Sequence, residues 1–345
     1  MKICIVNDTF LIGRGVDTVI YELAKRLGKK HKVKIVCGKG FCNYKPENFE
    51  IHEIDIEKAF TGSIKDILLP IRLLKLRNFL KKTNCDVINL HHSTLFLGLI
   101  GMKNVVITYH GSPPAYGISK YPRTLINIFG KLSLRFAKRV VAISEYLKKE
   151  LIRFGVPEER IVLIPNGISK DFKPTWKDKN YMLFVGRLEK HKRVDQLIKL
   201  AKDIRFPLKI VGDGLERKKL ERLARKIEAP VTFLCQIKRD KLIKLYQECS
   251  FFVSASRWEG FGLIFLEANA CGKPVIGYDL TAIREIIING YNGFLVRNFE
   301  DLKNKALELK ESVNLRKEMG RNGVNFSKNY NWEKISEMYE KSLKI

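Results

Sequence analysis

The stretch KICIVNDTFLIGRGVDTVIYELAKRLGKKHKVKIVCG, residues 2–38, changes its hydrophobic period twice. KICIVND is a short, nearly continuous apolar run, the pattern of a strand buried on both faces of a parallel sheet. The loop TFLIGRG follows it. Apolar residues at Val16, Val19, Ile20, Leu23 and Leu27 then recur at helical spacing, and KVKIVCG returns to strand. A strand, a glycine-bearing loop at its carboxyl end, a helix and a second strand make a βαβ unit.

Outward from there the alternation continues. Strands are predicted at CDVINLH, NVVITYH, RVVAIS and RIVLIPNG, with helical stretches between several of them. The pattern breaks over residues 166–178, NGISKDFKPTWKD, which is rich in Pro, Gly, Asp and Lys. A second series opens at YMLFVGR and runs through LKIVGDG, VTFLC, FFVSAS, KPVIGYD and NGFLV. Such alternation implies an α/β chain whose parallel sheets carry helices on both faces. The reading is two Rossmann-like, doubly wound domains, residues 1–168 and 179–328, joined by a linker at about 169–178. Ligands of open parallel sheets sit outside the carboxyl ends of the strands, so the expected site is a cleft between the two sheets.

A length of 345 residues suits two domains of this size, and 45% hydrophobic with 29% charged residues excludes disorder and collagen-like sequence. Lys and Arg number 64 against 37 Asp and Glu, a formal charge of +27, which calls for an anionic partner: nucleic acid, phosphorylated substrate or anionic membrane. The seven cysteines are scattered without a CxxC pair. No disulfide framework or zinc knuckle is therefore expected, and a reducing, cytoplasmic compartment fits. Neither a signal peptide nor a transmembrane run of about 18 apolar residues is read.

Chemistry concentrates in SRWEGFGLIFLEANACGKPVI, residues 256–276. Glycine at 260 and 262 admits close approach of a ligand. The amides of Gly260, Phe261, Gly262 and Leu263 open a helix whose positive end attracts phosphate. Glu259 falls in the loop, and Glu267 about one and a half turns into the helix, where a carboxylate can accept from the vicinal hydroxyls of a ribose. Taken alone, either glutamate also reads as a solvated residue beside a helix cap.

The whole string resembles the E-x7-E signature of the retaining glycosyltransferases of family 4, enzymes of GT-B fold that use nucleotide sugars. FVGRLEKHKRVDQLI resembles the segment in which that family grips the donor diphosphate, which implies the role for Arg187 and Lys192. VGDG (with Gly212), IPNGI, VAISEYLKKEL and DVINLHHS match in order, and ITYHG puts His110 near the transferred sugar. NWEKISEMYEKSL resembles the terminal helix, about 331–345, that crosses back to the first domain. The resemblance therefore implies catalytic roles for His110, Arg187, Lys192 and Glu259. It implies a donor site of Gly15, Arg187, Lys192, Gly212, Gly260, Phe261, Gly262, Leu263 and Glu267, with Cys235, Gln236 and Ile237 flanking the base.

Departures from the family pattern are local. Arg14-Gly15-Val16-Asp17 stands where Gly-Gly-x-Glu is usual, Arg193 follows Lys192 in place of Gly, and Cys235 and Ala255 replace a common Gly and Pro. Breaking a sugar–diphosphate bond leaves negative charge on phosphate, and Arg187, Lys192 and helix amides can stabilise it. Two cations there make a metal unnecessary, and no Asp-x-Asp cluster is present to hold one; no cofactor is implied. A glycosidase pair would need Glu267 beside the scissile bond rather than on a ribose. A nucleotide-sugar epimerase or hydrolase on the same fold is the alternative. Gly13-Arg14-Gly15 is a poor dinucleotide fingerprint, and no module that reads RNA or DNA is found, so nucleic acid is a remote partner. His91 and His92 read more readily as packed or cleft-wall residues.

Two stretches, residues 63–83 and 119–140, interleave cations with Leu, Ile and Phe at roughly helical spacing. Such helices either cover the sheet with a solvated basic face or lie on an anionic bilayer. With the first domain binding the acceptor, the second option points to a glycan or lipid-linked acceptor at the cytoplasmic membrane face.

Overall fold

The computed structural model describes residues 1–54, 69–91, 93–111, 134–235 and 237–344. They divide into two compact units, Met1–Gly167 with Trp332–Ile345, and Ile168–Asn331.

In the first unit the described elements run β1 (Lys2–Val6), α1 (Gly15–Leu27), β2 (Lys32–Gly38), β3 (Glu50–Ile54), α2 (Leu69–Thr83), β4 (Val87–Leu90), β5 (Val105–Tyr109), β6 (Arg139–Ala142), α3 (Glu145–Arg153) and β7 (Ile161–Leu163). The sheet order is β3-β2-β1-β4-β5-β6-β7, with every pairing parallel. Chain order reverses between β1 and β4, and at such a switch point the loops leaving the two strands splay to either side. The central strands β4 and β5 are buried along their whole length, which is why they read as unbroken apolar runs. The edge strand β3 (EIHEI) is only part-buried; its two isoleucines fall on opposite faces among polar residues, so it carries neither a continuous nor an alternating apolar signal, and sequence reading missed it.

The second unit repeats the plan. It comprises β8 (Met182–Val185), α4 (Val194–Asp203), β9 (Leu208–Val211), α5 (Arg217–Lys226), β10 (Val231–Leu234), α6 (Arg239–Glu248), β11 (Phe251–Ser254), α7 (Leu263–Ala270), β12 (Val275–Tyr278), α8 (Ile283–Ile286), β13 (Gly293–Val296), α9 (Phe299–Glu311) and α10 (Val313–Ser327). Its order, β10-β9-β8-β11-β12-β13, reverses between β8 and β11. Phe184, Leu197, Ile210, Phe251, Val253 and Ile276 are fully buried in its core.

The last helix, α11 (Trp332–Leu343), belongs to the first unit and packs on α1. Trp332 is buried under Gly167, where a Cβ would lie 2.5 Å from the indole. The Arg139 guanidinium donates to the carbonyls of Ser342 (2.6 Å) and Lys344 (3.1 Å), satisfying acceptors that a helix end leaves open.

Several expectations change. Residues 169–178, read as a linker, fall within the second unit, with Phe172 edge-on to Tyr246 at 5.7 Å and Asp178 bound to Arg316 at 2.9 Å. Composition signalled a loop, but buried anchors within it fix the path. Cys4 and Cys85, expected to be thiols, form a disulfide. The reason is topological: β1 lies beside β4, and a separation of 81 residues gives no hint of it. Of the basic stretches, 63–68 and 119–133 lie outside the described residues. The described end of the second is a short 3-10 turn, Leu134–Phe136, leading into β6. Arg135 and Arg139, expected on a solvated or membrane-facing helix, are spent on carbonyls, Arg135 on that of Phe154 at 2.6 Å.

Candidate active site

Two loops of the second unit carry most of the residues singled out above. The first leaves β8. Leu188 N donates to Asp213 O (2.9 Å) and Glu216 N to Leu188 O (3.0 Å), which binds this loop to the one after β9. Gly212 makes that approach possible: its φ is 138°, and a Cβ would lie 2.0 Å from the Gly186 carbonyl oxygen. The glycine expected to meet donor thus has a structural task of its own. The loop ends in the 3-10 turn Lys190–Lys192, and Arg193 leads into α4 with φ +49°. That left-handed backbone explains why glycine is at ease at this position.

The second loop leaves β11 and is stitched to the first. Arg257 N donates to His191 O at 2.9 Å, and Lys192 Nζ meets Glu259 Oε1 at 2.6 Å, each side chain 12% exposed. Glu259 N donates to Thr281 Oγ1 at 3.2 Å. Gly262 caps α7 with φ +98°, and Phe265 is the first residue shown bonding back, its N to Gly262 O at 3.0 Å. The amides of Leu263 and Ile264 lie ahead of it at the positive helix end, where an anion is favoured. Phe261 is buried, its ring edge-on to Tyr330 at 5.8 Å.

Desolvation pushes the Glu267 carboxyl up to about 7, against smaller opposing effects of the Tyr246 hydroxyl and the Arg239 guanidinium. A carboxyl poised near neutrality beside a helix start can accept from a diol once ionised. Desolvation, with Lys192 and Arg187 adding, holds the His191 imidazole down at about 4, so it stays neutral. Arg187, by contrast, is 70% exposed and pairs with Glu189 at 2.6 Å. Arg187 and Lys192, the two cations expected at a diphosphate, therefore both carry carboxylate partners in this structure, which sequence reading had not foreseen. Cys235 is exposed and accepts from the Arg217 guanidinium; Ile237 is part-buried, and Gln236 lies outside the described residues.

Gly15 and His110 belong to the first unit. Gly15 begins α1, and Arg14 before it donates to Thr9 Oγ1 at 3.2 Å. Asp17 is the clamp of that loop: buried, it accepts from Asn7 Nδ2 (2.9 Å), Thr9 Oγ1 (3.0 Å) and Leu11 N (2.7 Å). His110 follows β5, beside His91 at the end of neighbouring β4, and His110 Nε2 lies 2.9 Å from His91 Nδ1. Asn89 Nδ2 donates to Thr108 Oγ1, so its Oδ1 faces His91 Nε2. His91 must then carry its proton on Nε2 and accept from His110 through Nδ1. Burial drives the His91 pKa well below its ordinary value, which keeps that arrangement neutral. Sequence reading set His91 aside as packing; its place on the strand adjoining His110 was the missing information. His92 lies outside the described residues.

The family model described as Glycosyl transferases group 1 matches residues 168–341, half of the chain, and that described as Glycosyltransferase Family 4 matches residues 13–172. The chain belongs to this glycosyltransferase family. An uncharacterized glycosyltransferase of Methanocaldococcus jannaschii is 32% identical over 99% of this chain and 98% of its own. An N,N'-diacetylbacillosaminyl-diphospho-undecaprenol alpha-1,3-N-acetylgalactosaminyltransferase of Campylobacter jejuni is 29% identical over 64% of this chain and 63% of its own. In fold, this glycosyltransferase is similar to sucrose-phosphate synthase from Thermosynechococcus elongatus, with TM-score 0.86, 20% identity and coverage of 99% and 97%. The Anabaena protein HepE, solved with UDP and glucose, gives 0.78 at 19% identity, with 99% of each chain covered. The α/β, two-domain GT-B fold expected from the sequence is the one observed.

Proposed function

We propose that this glycosyltransferase transfers a sugar from a nucleoside-diphosphate sugar to a glycan or lipid-linked acceptor with retention of anomeric configuration and without a metal ion. The observation that carries the reading is the Lys192–Glu259 pair held beside the start of α7. A cation and helix-end amides there share one small region, a setting suited to a leaving diphosphate. The bond from the anomeric carbon to the phosphate oxygen breaks, and a bond to the acceptor oxygen forms on the same face. The acceptor proton passes to the departing phosphate. Lys192 and Arg187 stabilise the charge on that phosphate and take the place of a divalent cation; each such contact is worth about 3–4 kcal/mol in a water-poor site. Glu267 accepts from the ribose; within the first unit, His91 orients the His110 ring.

The acceptor class rests on the first unit. On α2, Leu73, Leu76 and Leu80 are buried, whereas Ile71 and Leu74 are 52% and 59% exposed, and Lys81 and Lys82 lie exposed at the same helix's end. Exposed apolar groups among cations suit the surface of an anionic bilayer. The bacillosaminyl-diphospho-undecaprenol transferase is named for an acceptor of the lipid-linked kind. No helix of the described residues is long and apolar enough to span a membrane, so contact would be peripheral. The test presents UDP-, GDP- and ADP-sugars with and without chelator and assigns the product anomer by NMR. An α-linked product from an α-linked donor, formed in chelator, is expected. An inverted product, a strict metal requirement, or release of free or epimerised sugar with no acceptor turnover refutes the corresponding part.

A further inference from the structure

Thr281 follows β12 in the turn Leu280-Thr281-Ala282-Ile283, closed by Ile283 N donating to Leu280 O at 3.2 Å. Its φ is +51°, whereas that of Ala282 is −72°. A positive φ at the first central position alone is the sign pattern of a type II′ turn, where glycine is the usual occupant. For a β-branched residue it is a true outlier, and strained backbone of this kind gathers at functional sites. The surroundings over-determine the strain: Asp279 N is bound to Val296 O at 2.8 Å, and Arg284 clasps Asp279 through its carboxylate (2.6 Å) and its carbonyl (2.7 Å). A glycine would relax the turn but would lack the one group Thr281 contributes. That group is the hydroxyl, whose oxygen accepts from Glu259 N at 3.2 Å across 22 residues of sequence.

We infer that Thr281 is a positioning residue: its hydroxyl tethers the Glu259 backbone and thereby aims the Glu259 carboxylate and the Lys192 ammonium bound to it at 2.6 Å. The inference rests on the donor-site reading of Glu259 and Lys192. Thr281 acts through the loop, by way of the Glu259 amide. The tether also gives the threonine hydroxyl a task at a position whose geometry favours glycine.

Three variants separate the hydroxyl from the strain. Thr281→Ser keeps the acceptor, Thr281→Val keeps the branched carbon and loses the acceptor, and Thr281→Gly loses the acceptor while relaxing the backbone. Donor turnover, melting temperature and hydrogen exchange of the Glu259 amide are measured on each full-length protein. The Val and Gly variants are expected to lose kcat by about tenfold, the scale of one lost hydrogen bond, with donor KM within about threefold. The Ser variant stays within about twofold of wild type. Glu259 exchange accelerates in Val and Gly but not in Ser. The Gly variant melts ~2–5 °C above wild type while being slower, because relief of strain acts on the whole unit. Activity that follows melting temperature across the three overturns the inference, as does a Ser variant as slow as Val. Unchanged Glu259 exchange in Val and Gly also refutes the tether, and this arm needs no turnover. A wild-type chain inactive on every nucleotide sugar refutes the donor-site reading instead.

Discussion

Replacing Glu267 with glutamine sets stability against activity, and the pH dependence of that opposition follows from the structure. The carboxyl titrates near 7 in the folded chain against 4.5 as the ordinary value. Between those limits the folded state holds a proton that the unfolded chain has released, so raising the pH weakens folding. The sign is that of a burdened carboxylate: no cost below about pH 4.5, a growing cost toward 7, and a constant cost above it. At about 1.36 kcal/mol per unit, the gap of about 2.5 units sets an upper bound of about 3 kcal/mol. Solvent reaching the part-exposed residue screens some of it, leaving about 1–3 kcal/mol. Glutamine keeps the shape without the charge, so Glu267→Gln should match wild type near pH 4.5, exceed it increasingly toward pH 7 and hold that gain at pH 8. For a unit of this size the gain corresponds to roughly 2–10 °C in melting temperature. Scanning calorimetry of the two proteins side by side at pH 5, 6, 7 and 8 reads the difference and cancels every other titrating group. In the same variant donor KM should rise about tenfold, since an amide presents one acceptor oxygen to the ribose diol where a carboxylate presents two. A stability difference that is flat with pH, or that shrinks as pH rises, refutes the reasoning.

Other consequences are more direct. Lys192→Ala removes the cation beside Glu259 and should lower kcat by ~10²–10³ with a smaller change in KM, read by steady-state kinetics with varied donor. Arg193→Gly relaxes a left-handed backbone at φ +49° and gives up a surface contact to Asp195 at 3.5 Å; thermal melts should show a gain of about 1 kcal/mol. For membrane docking, Lys81→Glu with Lys82→Glu should reduce sedimentation with anionic vesicles by about tenfold or more. Binding should fall further with added salt, while donor binding in the other unit stays at wild-type affinity. Equal binding to neutral vesicles, or none to anionic ones, refutes the docking face on α2.

The architecture was legible because buried parallel strands announce themselves. KICIV, KVKIVCG and VVITY carry apolar residues on both faces and need no partner to be recognised. The same physics hid β3, an edge strand whose two isoleucines sit on opposite faces among polar residues. Gly262, Glu259 and Glu267 were legible as a group because a helix start, and the residues spaced along it, are local in sequence. The short separation of Glu259, in the loop, from Glu267, on the helix that the loop opens, is read without any knowledge of the sheet.

What the chain order of strands decides is invisible along the chain. β1 lies against β4 rather than β3, and that alone brings Cys4 to Cys85 and the end of β4, with His91, beside the end of β5, with His110. Likewise β8 lies against β11, and so Lys192 finds Glu259 and Arg257 finds His191 across 66 or 67 residues. Sequence fixes which residues can bear charge, bend backward or fill a core, since those are properties of the side chain and its near neighbours. Which charges neutralise each other, which carboxyl loses its water and which hydroxyl meets a distant amide depend on distances of a few ångströms between separate elements. Only the packed sheets set those distances.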